Sequence, residues 1–275
     1  MPLKYCLTSL AVLCCALAPQ LYAATFTGTW VQGGLITGRA SPGEQVFFNG
    51  RELSQSGSGH FAFGLGRDAP KRVAVEVKAD GAVQTLTFEV EQRAYKIQRI
   101  EGVQQKHVTP PKALTDRIQR EARAVRKARE RNDLRTDFLT SFIWPASGRV
   151  TGVYGSQRFY NGTPKSPHYG IDIAGPKGAP VRAPAAGVVT FANNDLYYSG
   201  GTLIVDHGLG ISSTFIHLSK IEVALGDVVQ QGDLIARIGS TGRSTGPHLD
   251  WRMNWFSERI DPQLLFPENA KPESP

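Results

Sequence analysis

Two long stretches of this 275-residue chain, from Thr25 to about Arg99 and from Phe142 to Leu265, carry apolar residues in short alternating runs cut by glycine, proline, asparagine and aspartate. A period of two puts one face of each run in a core and the other in solvent, so the pattern commits both stretches to antiparallel β-sheet. In the first, TFTGTWVQ, GHFAFGLG and RVAVEVKADGAVQTLTFEVEQ predict an Ig-like β-sandwich over residues 24–99. Asn49-Gly50 and Asp80-Gly81 fall between alternating runs and predict hairpins, because the tight turns that join strands need φ > 0. The second stretch predicts another all-β domain over residues 141–265. There a Gly-Asp turn recurs at Gly226-Asp227 and Gly232-Asp233 around a short apolar strand, as a tightly wound sheet requires.

Between them, Pro110 and Pro111 punctuate the chain, and a helix is expected from about Lys112 to Arg135 inside a linker spanning 100–140. Leu114, Ile118, Ala122, Val125 and Ala128 follow its 3.6-residue period. Basic residues dominate this segment and carry most of the net charge of +7. Such a helix suits an anionic lipid or wall polymer, although a solvated connector face is the commoner outcome. No aromatic side chain is interleaved for base stacking, which argues against nucleic acid. Residues 1–23 have the layout of a signal peptide: Lys4, an apolar run from Cys6 to Pro19, and small residues at Ala23 and Ala24. The run is too short to cross a bilayer, so no transmembrane helix is expected in the mature chain. Cys6, Cys14 and Cys15 all lie in this segment, which excludes disulfides and thiolate metal sites from the remainder. The tail, 266–275, is expected to be disordered.

Three fragments carry candidate chemistry. In His168-Tyr169-Gly170-Ile171-Asp172, a strand would put His168 and Asp172 on one face, with Gly170 leaving room between them for an ion. His248 and Asp250 are two apart and share a face in the same way. If the two strands are neighbours, His168, Asp172 and one or both of His248 and Asp250 converge on a polar cavity, a set of imidazole and carboxylate donors that zinc accepts. His217 sits mid-strand in Ser213-Thr214-Phe215-Ile216-His217-Leu218, where it either pairs structurally or faces that cavity. His207, beside a turn, reads as structural.

With His168-x3-Asp172, Gly178-x2-Val181-x-Ala183-x3-Gly187-x-Val189, His217-Leu218-Ser219, Gly226-Asp227-x-Val229-x2-Gly232 and Gly239-Ser240-Thr241-Gly242-x3-Gly246-Pro247-His248-Leu249 in order, residues from about Trp144 to Leu265 resemble the lysostaphin-type (LytM-domain) zinc endopeptidases. The resemblance implies a peptidoglycan hydrolase, exported and periplasmic or envelope-associated. It implies zinc on His168 and Asp172, with His217 and His248 acting beside it on water and on the tetrahedral intermediate. The third ligand of that family is the second histidine of a His-x-His pair, and Asp250 stands there. A carboxylate in that place still binds zinc, but it lowers the charge of the site and opens it to a harder metal such as manganese. The alternative is a degenerate domain that binds or activates another envelope protein. A lipoyl-type carrier, which shares the Gly-Asp-x-Val-x2-Gly turn, is excluded because no lysine occupies a hairpin tip with the expected flanks.

Overall fold

The computed structural model describes residues 24–101, 112–267 and 270–272; the segment read as a signal peptide lies outside these. The fold is mainly β. The N-terminal part holds a three-stranded sheet ordered Thr25–Gly28, Leu35–Arg39, His60–Gly64 and a four-stranded sheet ordered Arg51–Glu52, Gln45–Phe48, Arg72–Ala79, Ala82–Glu89. Both expected hairpin tips take positive φ, at Asn49-Gly50 (50° and 73°) and Asp80-Gly81 (50° and 77°). The alternation is realised as Ile36, Phe61 and Phe63 from one sheet meeting Val46 and Val75 from the other, all without exposure. Phe48 and Phe63 stack across the gap with centroids 4.2 Å apart.

The helix runs from Lys112 to Ala128, short of Arg135. No glycine or proline marks this end. It is set by the tertiary structure: Arg129 turns inward and is buried, and the chain then lies along the second domain, where the Leu209 amide donates to the Asp133 carbonyl at 2.7 Å. On the helix itself, Arg117 donates to both Glu121 and Asp195, tying the basic face to the strand beneath it.

The C-terminal part is built on an eight-stranded sheet ordered Val228–Val229, Gly187–Leu196, Gly200–Gly208, Ile211–Leu218, His248–Trp255, Ile171–Ala174, Val150–Gly152, with Glu258–Ile260 also paired to His248–Trp255. A small sheet of Pro180–Arg182, Leu234–Arg237 and Lys220–Ile221 packs alongside. The repeated Gly-Asp turns act as a pair: Asp227 accepts from the Ala224 amide and Asp233 from the Gln230 amide, each at 2.8 Å. Past the last strand, Phe266 stacks on Trp144 with centroids 4.2 Å apart.

The two parts share one hydrophobic cluster. Arg93 reaches the nearly inaccessible Asp261 at 2.7 Å, Phe48 meets Trp255 edge-on at 6.2 Å, and Ile97–Ile100 pairs in parallel with Gln157–Tyr160. Among the described residues no helix is long and apolar enough to cross a membrane.

Candidate metal centre

The Ile171–Ala174 strand lies antiparallel to His248–Trp255 in a register that sets Asp172 opposite Asp250 and Ala174 opposite His248. On its other side the 248–255 strand pairs with Ile211–Leu218, setting Ile216 opposite Asp250. The sheet itself therefore gathers the fragments that are far apart in the chain. His168 is the exception to the expected strand geometry. It lies before the strand, in an extended segment held by two backbone hydrogen bonds of 2.8 Å, from His168 to the Ser156 carbonyl and from Gly155 to the His168 carbonyl.

His168 Nε2 lies 3.3 Å from Asp172 Oδ1, and its Nδ1 lies 3.9 Å from Asp250 Oδ2. His248 Nε2 is 3.7 Å from the same Asp172 oxygen. His168, Asp172 and Asp250 each offer a ligand atom within a single small cluster. His168 Nε2 and Asp172 Oδ1 are both buried without a hydrogen-bond partner, a state that costs free energy unless something else binds there. Their separation is about the edge of a tetrahedron with metal–ligand bonds of about 2.0–2.1 Å. Gly152 makes this possible, because a Cβ there would meet Asp172 Oδ2 at 2.1 Å.

His217 is 6% exposed and adopts φ 64°, a left-handed conformation costly for a residue with a Cβ. Its Nδ1 lies 2.8 Å from the Thr241 carbonyl, and His248 Nδ1 lies 2.8 Å from the Gly246 carbonyl. A carbonyl accepts only, so each Nδ1 carries the proton and each Nε2 keeps a lone pair. The two rings are 4.9 Å apart. Burial pushes the His217 imidazole below its ordinary value, favouring this neutral form. At His168 burial acts in the same sense, but the carboxylates of Asp172 and Asp250 outweigh it and raise the pKa.

Arg252, which the sequence reading did not single out, changes the view of Asp250. Its Nε donates to Asp250 Oδ1 at 2.9 Å and its Nη2 to Oδ2 at 2.6 Å, a bidentate fork. Burial would raise the Asp250 carboxyl, yet the guanidinium holds it at about 2. The signal was present: Arg252 is two residues beyond Asp250 and so shares its face of the strand. Formally, the guanidinium cancels the added carboxylate, so the charge around a divalent ion equals that left by a neutral imidazole in the third position. Each carboxylate oxygen also retains a further lone pair. The sequence predicted that Gly170 leaves room for an ion; the structure fills that room with Asp250 and Arg252. A Cβ on it would meet the Trp251 carbonyl oxygen at 2.4 Å, Arg252 Cγ at 2.6 Å and Asp250 Oδ1 at 2.7 Å, so the space it leaves holds the ion pair.

His207 is structural, as expected: it is fully buried, with Nδ1 2.7 Å from the Ala186 carbonyl and Nε2 2.8 Å from Ser213 Oγ.

Comparison with known proteins points to the same region. Residues 166–262 match the profile of Peptidase family M23. Over 95 residues the chain is 42% identical to the DD-carboxypeptidase/endopeptidase Mpg of Neisseria meningitidis, a match covering 34% of this chain and 22% of that protein. Over 106 residues it is 37% identical to the peptidoglycan DD-endopeptidase ShyA of Vibrio cholerae, covering 38% of this chain and 24% of that one. The chain therefore spans less than a quarter of the length of these relatives. A crystallised Pseudomonas aeruginosa protein described as a peptidase M23 superposes with a TM-score of 0.65 at 28% identity, covering 86% of this chain and 95% of that one. This last match extends through the N-terminal sheets.

Proposed function

We propose that this chain, whose residues 166–262 match the profile of Peptidase family M23, is a zinc-dependent endopeptidase hydrolysing peptide bonds in peptidoglycan stem peptides or cross-links during cell-wall remodelling. The observation that carries this reading is the pair of buried, unpartnered ligand atoms, His168 Nε2 and Asp172 Oδ1, with His217, His248 and Asp250 gathered around them. In this proposal His168, Asp172 and Asp250 hold the ion, which when bound supplies Lewis acidity to polarise the scissile carbonyl. His248 Nε2, with its lone pair directed by the bond from Nδ1 to Gly246, accepts the proton of the attacking water and returns it to the leaving amine. His217, its Nδ1 likewise held by Thr241, presents its Nε2 lone pair beside His248 and helps orient the attacking water. Arg252 keeps Asp250 ionised and oriented. Export by the signal-like segment of residues 1–23 would place the enzyme in the periplasm or envelope with its substrate.

Purified protein loaded with zinc should release soluble fragments from peptidoglycan, and His248→Ala should reduce this by at least about a hundredfold while zinc stays bound. No release from any wall type with zinc or manganese would refute the proposal. A second reading, a catalytically degenerate domain that binds or activates another envelope hydrolase, is favoured by one observation, the engagement of both Asp250 oxygens by Arg252. Protein that holds no metal after purification and dialysis against micromolar zinc would select it.

A further inference from the structure

Beyond Arg252, the same sheet face carries more positive charge than the described residues neutralise. Thr214 lies opposite Arg252 and Ser212 opposite Asn254, while Asn254 lies opposite Arg259 on the neighbouring strand. Arg129 arrives from the end of the helix, is 9% exposed, and donates from Nη2 to Thr214 Oγ1 at 3.2 Å. Arg259 donates from Nη1 to Asn254 Oδ1 at 3.3 Å and lies 5.4 Å from the centroid of the Tyr169 ring. Three guanidiniums thus share this region with Asp250, both of whose oxygens are taken by Arg252, and with Asp172 opposite Asp250 on the next strand. Arg129 Nε and Ser212 Oγ are buried without any partner.

Burial, reinforced by Arg259 and Arg252, pushes the Arg129 guanidinium well below its ordinary value, and burial with Arg252 brings Arg259 down to about 10. Buried cations without counter-charges and donors without acceptors are expensive, and they persist where a ligand completes them. The face is reachable at Arg252, whose side chain is 25% exposed. Arg259 and Tyr169 line a cavity of about 440 Å³ between the N-terminal sheets and the catalytic sheet, with Arg67, Asp68 and Glu258 also in its wall. Asp68 is already paired to Arg67 at 2.6 Å. Tyr169, in the cavity wall, follows His168 directly in the chain. At about 3.4 Å per residue, Arg252 stands about 7 Å along the strand from Asp250, and Asn254 with its partner Arg259 about 14 Å.

We propose that Arg129, Arg252 and Arg259 form a carboxylate-binding subsite of the substrate groove, taking a free carboxylate of the peptide whose bond is cut at the metal centre. A guanidinium fork matches a carboxylate in plane and charge, and a carboxylate seated between Arg129 and Arg259 would give the orphaned Nε its acceptor. The subsite rests on the peptidase reading for the identity of the ligand. Its consequence is a substrate class: peptides bearing a free carboxylate within about 7–14 Å of the scissile bond, and not their amidated counterparts.

The test uses the full chain stripped of metal by a chelator, so that binding is measured without hydrolysis. Calorimetry at 0.5 M salt compares a cross-linked muropeptide dimer carrying free carboxylates with the same dimer fully amidated. The acid form should bind about tenfold or more tightly. Arg259→Gln should erase most of that preference, and Arg259→Lys should restore part of it. Equal affinity of the wild-type chain for the two forms, or an unchanged preference in a folded Arg259→Gln protein, overturns the subsite. The wild-type comparison decides even if the variants fail to fold. Absence of peptidoglycan cleavage alongside a retained carboxylate preference would sink the hydrolase reading and leave the subsite standing.

Discussion

Replacing Arg252 by glutamine tests whether Asp250 faces a cation. The side chain of Asp250 is 4% exposed; Arg252 holds both of its oxygens, and His168 Nδ1 lies 3.9 Å from Oδ2. A carboxyl held at about 2 rather than its ordinary value corresponds to about 2 kcal/mol of stabilisation at neutral pH. That contribution is fully present above the ordinary carboxylate range and is lost as pH falls through about 2. Removing the guanidinium does more than cancel this term, because it strands a buried charge, at a cost of about 3–5 kcal/mol. For a domain of this size the melting temperature should fall by roughly 6–20 °C. The sign of the pH dependence should also reverse: with the Asp250 pKa now raised by burial, stability should decline as pH climbs past the ordinary carboxylate value. Zinc bound at His168 and Asp172 would replace the missing positive charge, so saturating zinc should recover most of the loss and raise the melting temperature far more in Arg252→Gln than in the wild type. Scanning calorimetry on both proteins, with and without zinc, measures this. Equal zinc shifts in the two proteins, or a variant that melts within about 2 °C of wild type without metal, would refute the placement of Asp250 beside the ion.

Asp206 is buried, and burial outweighs Arg135 in raising its carboxyl to about 7. The folded state then holds a proton that the unfolded chain releases, so stability should fall between about pH 4 and pH 7, and Asp206→Asn should remove roughly 3–4 kcal/mol of that decline; urea melts at pH 5 and pH 8 check this, and identical pH slopes in the two proteins would contradict it. Gly170→Ala should push the Asp250–Arg252 pair apart, lowering the melting temperature by several degrees and weakening zinc binding; a neutral result would mean that the packing around Gly170 is looser than its 2.4–2.7 Å neighbours imply.

What could be read from the chain was local or set by strand parity. Alternation placed Ile36, Phe61, Val46 and Val75 in a core, and Asn49-Gly50 and Asp80-Gly81 announced their own turns because the requirement for positive φ lies within two residues. The partnership of Asp172 with Asp250 was legible because strand parity puts each on one face of neighbouring strands. What failed depended on contacts across the chain. His168 lies off the strand because Ser156 and Gly155, far behind it, hold its backbone. The helix stops at Ala128 because Arg129 is drawn to Thr214, a pull that no local residue advertises. Composition made that helix look like a solvated basic face, and it could not tell which arginine turns inward.

The same limit explains why Asp250 by itself was misleading. Read alone, a carboxylate in place of the family's imidazole makes a zinc site less positive and its bound water less acidic. Paired with Arg252, it restores the formal charge that the imidazole would leave, so the two residues act as one substitution. Changing Asp250 to histidine in isolation should therefore damage the centre and not repair it, since Arg252 would remain beside a divalent cation with no carboxylate between them. Zinc affinity should drop by at least about tenfold in Asp250→His. It should return toward the wild-type value in Asp250→His/Arg252→Gln, where both members of the pair are exchanged. Competition with a chromogenic chelator measures all three affinities. If the single and double variants bind zinc equally, Arg252 does not feel the ion, and the charge compensation argued from its fork on Asp250 is wrong.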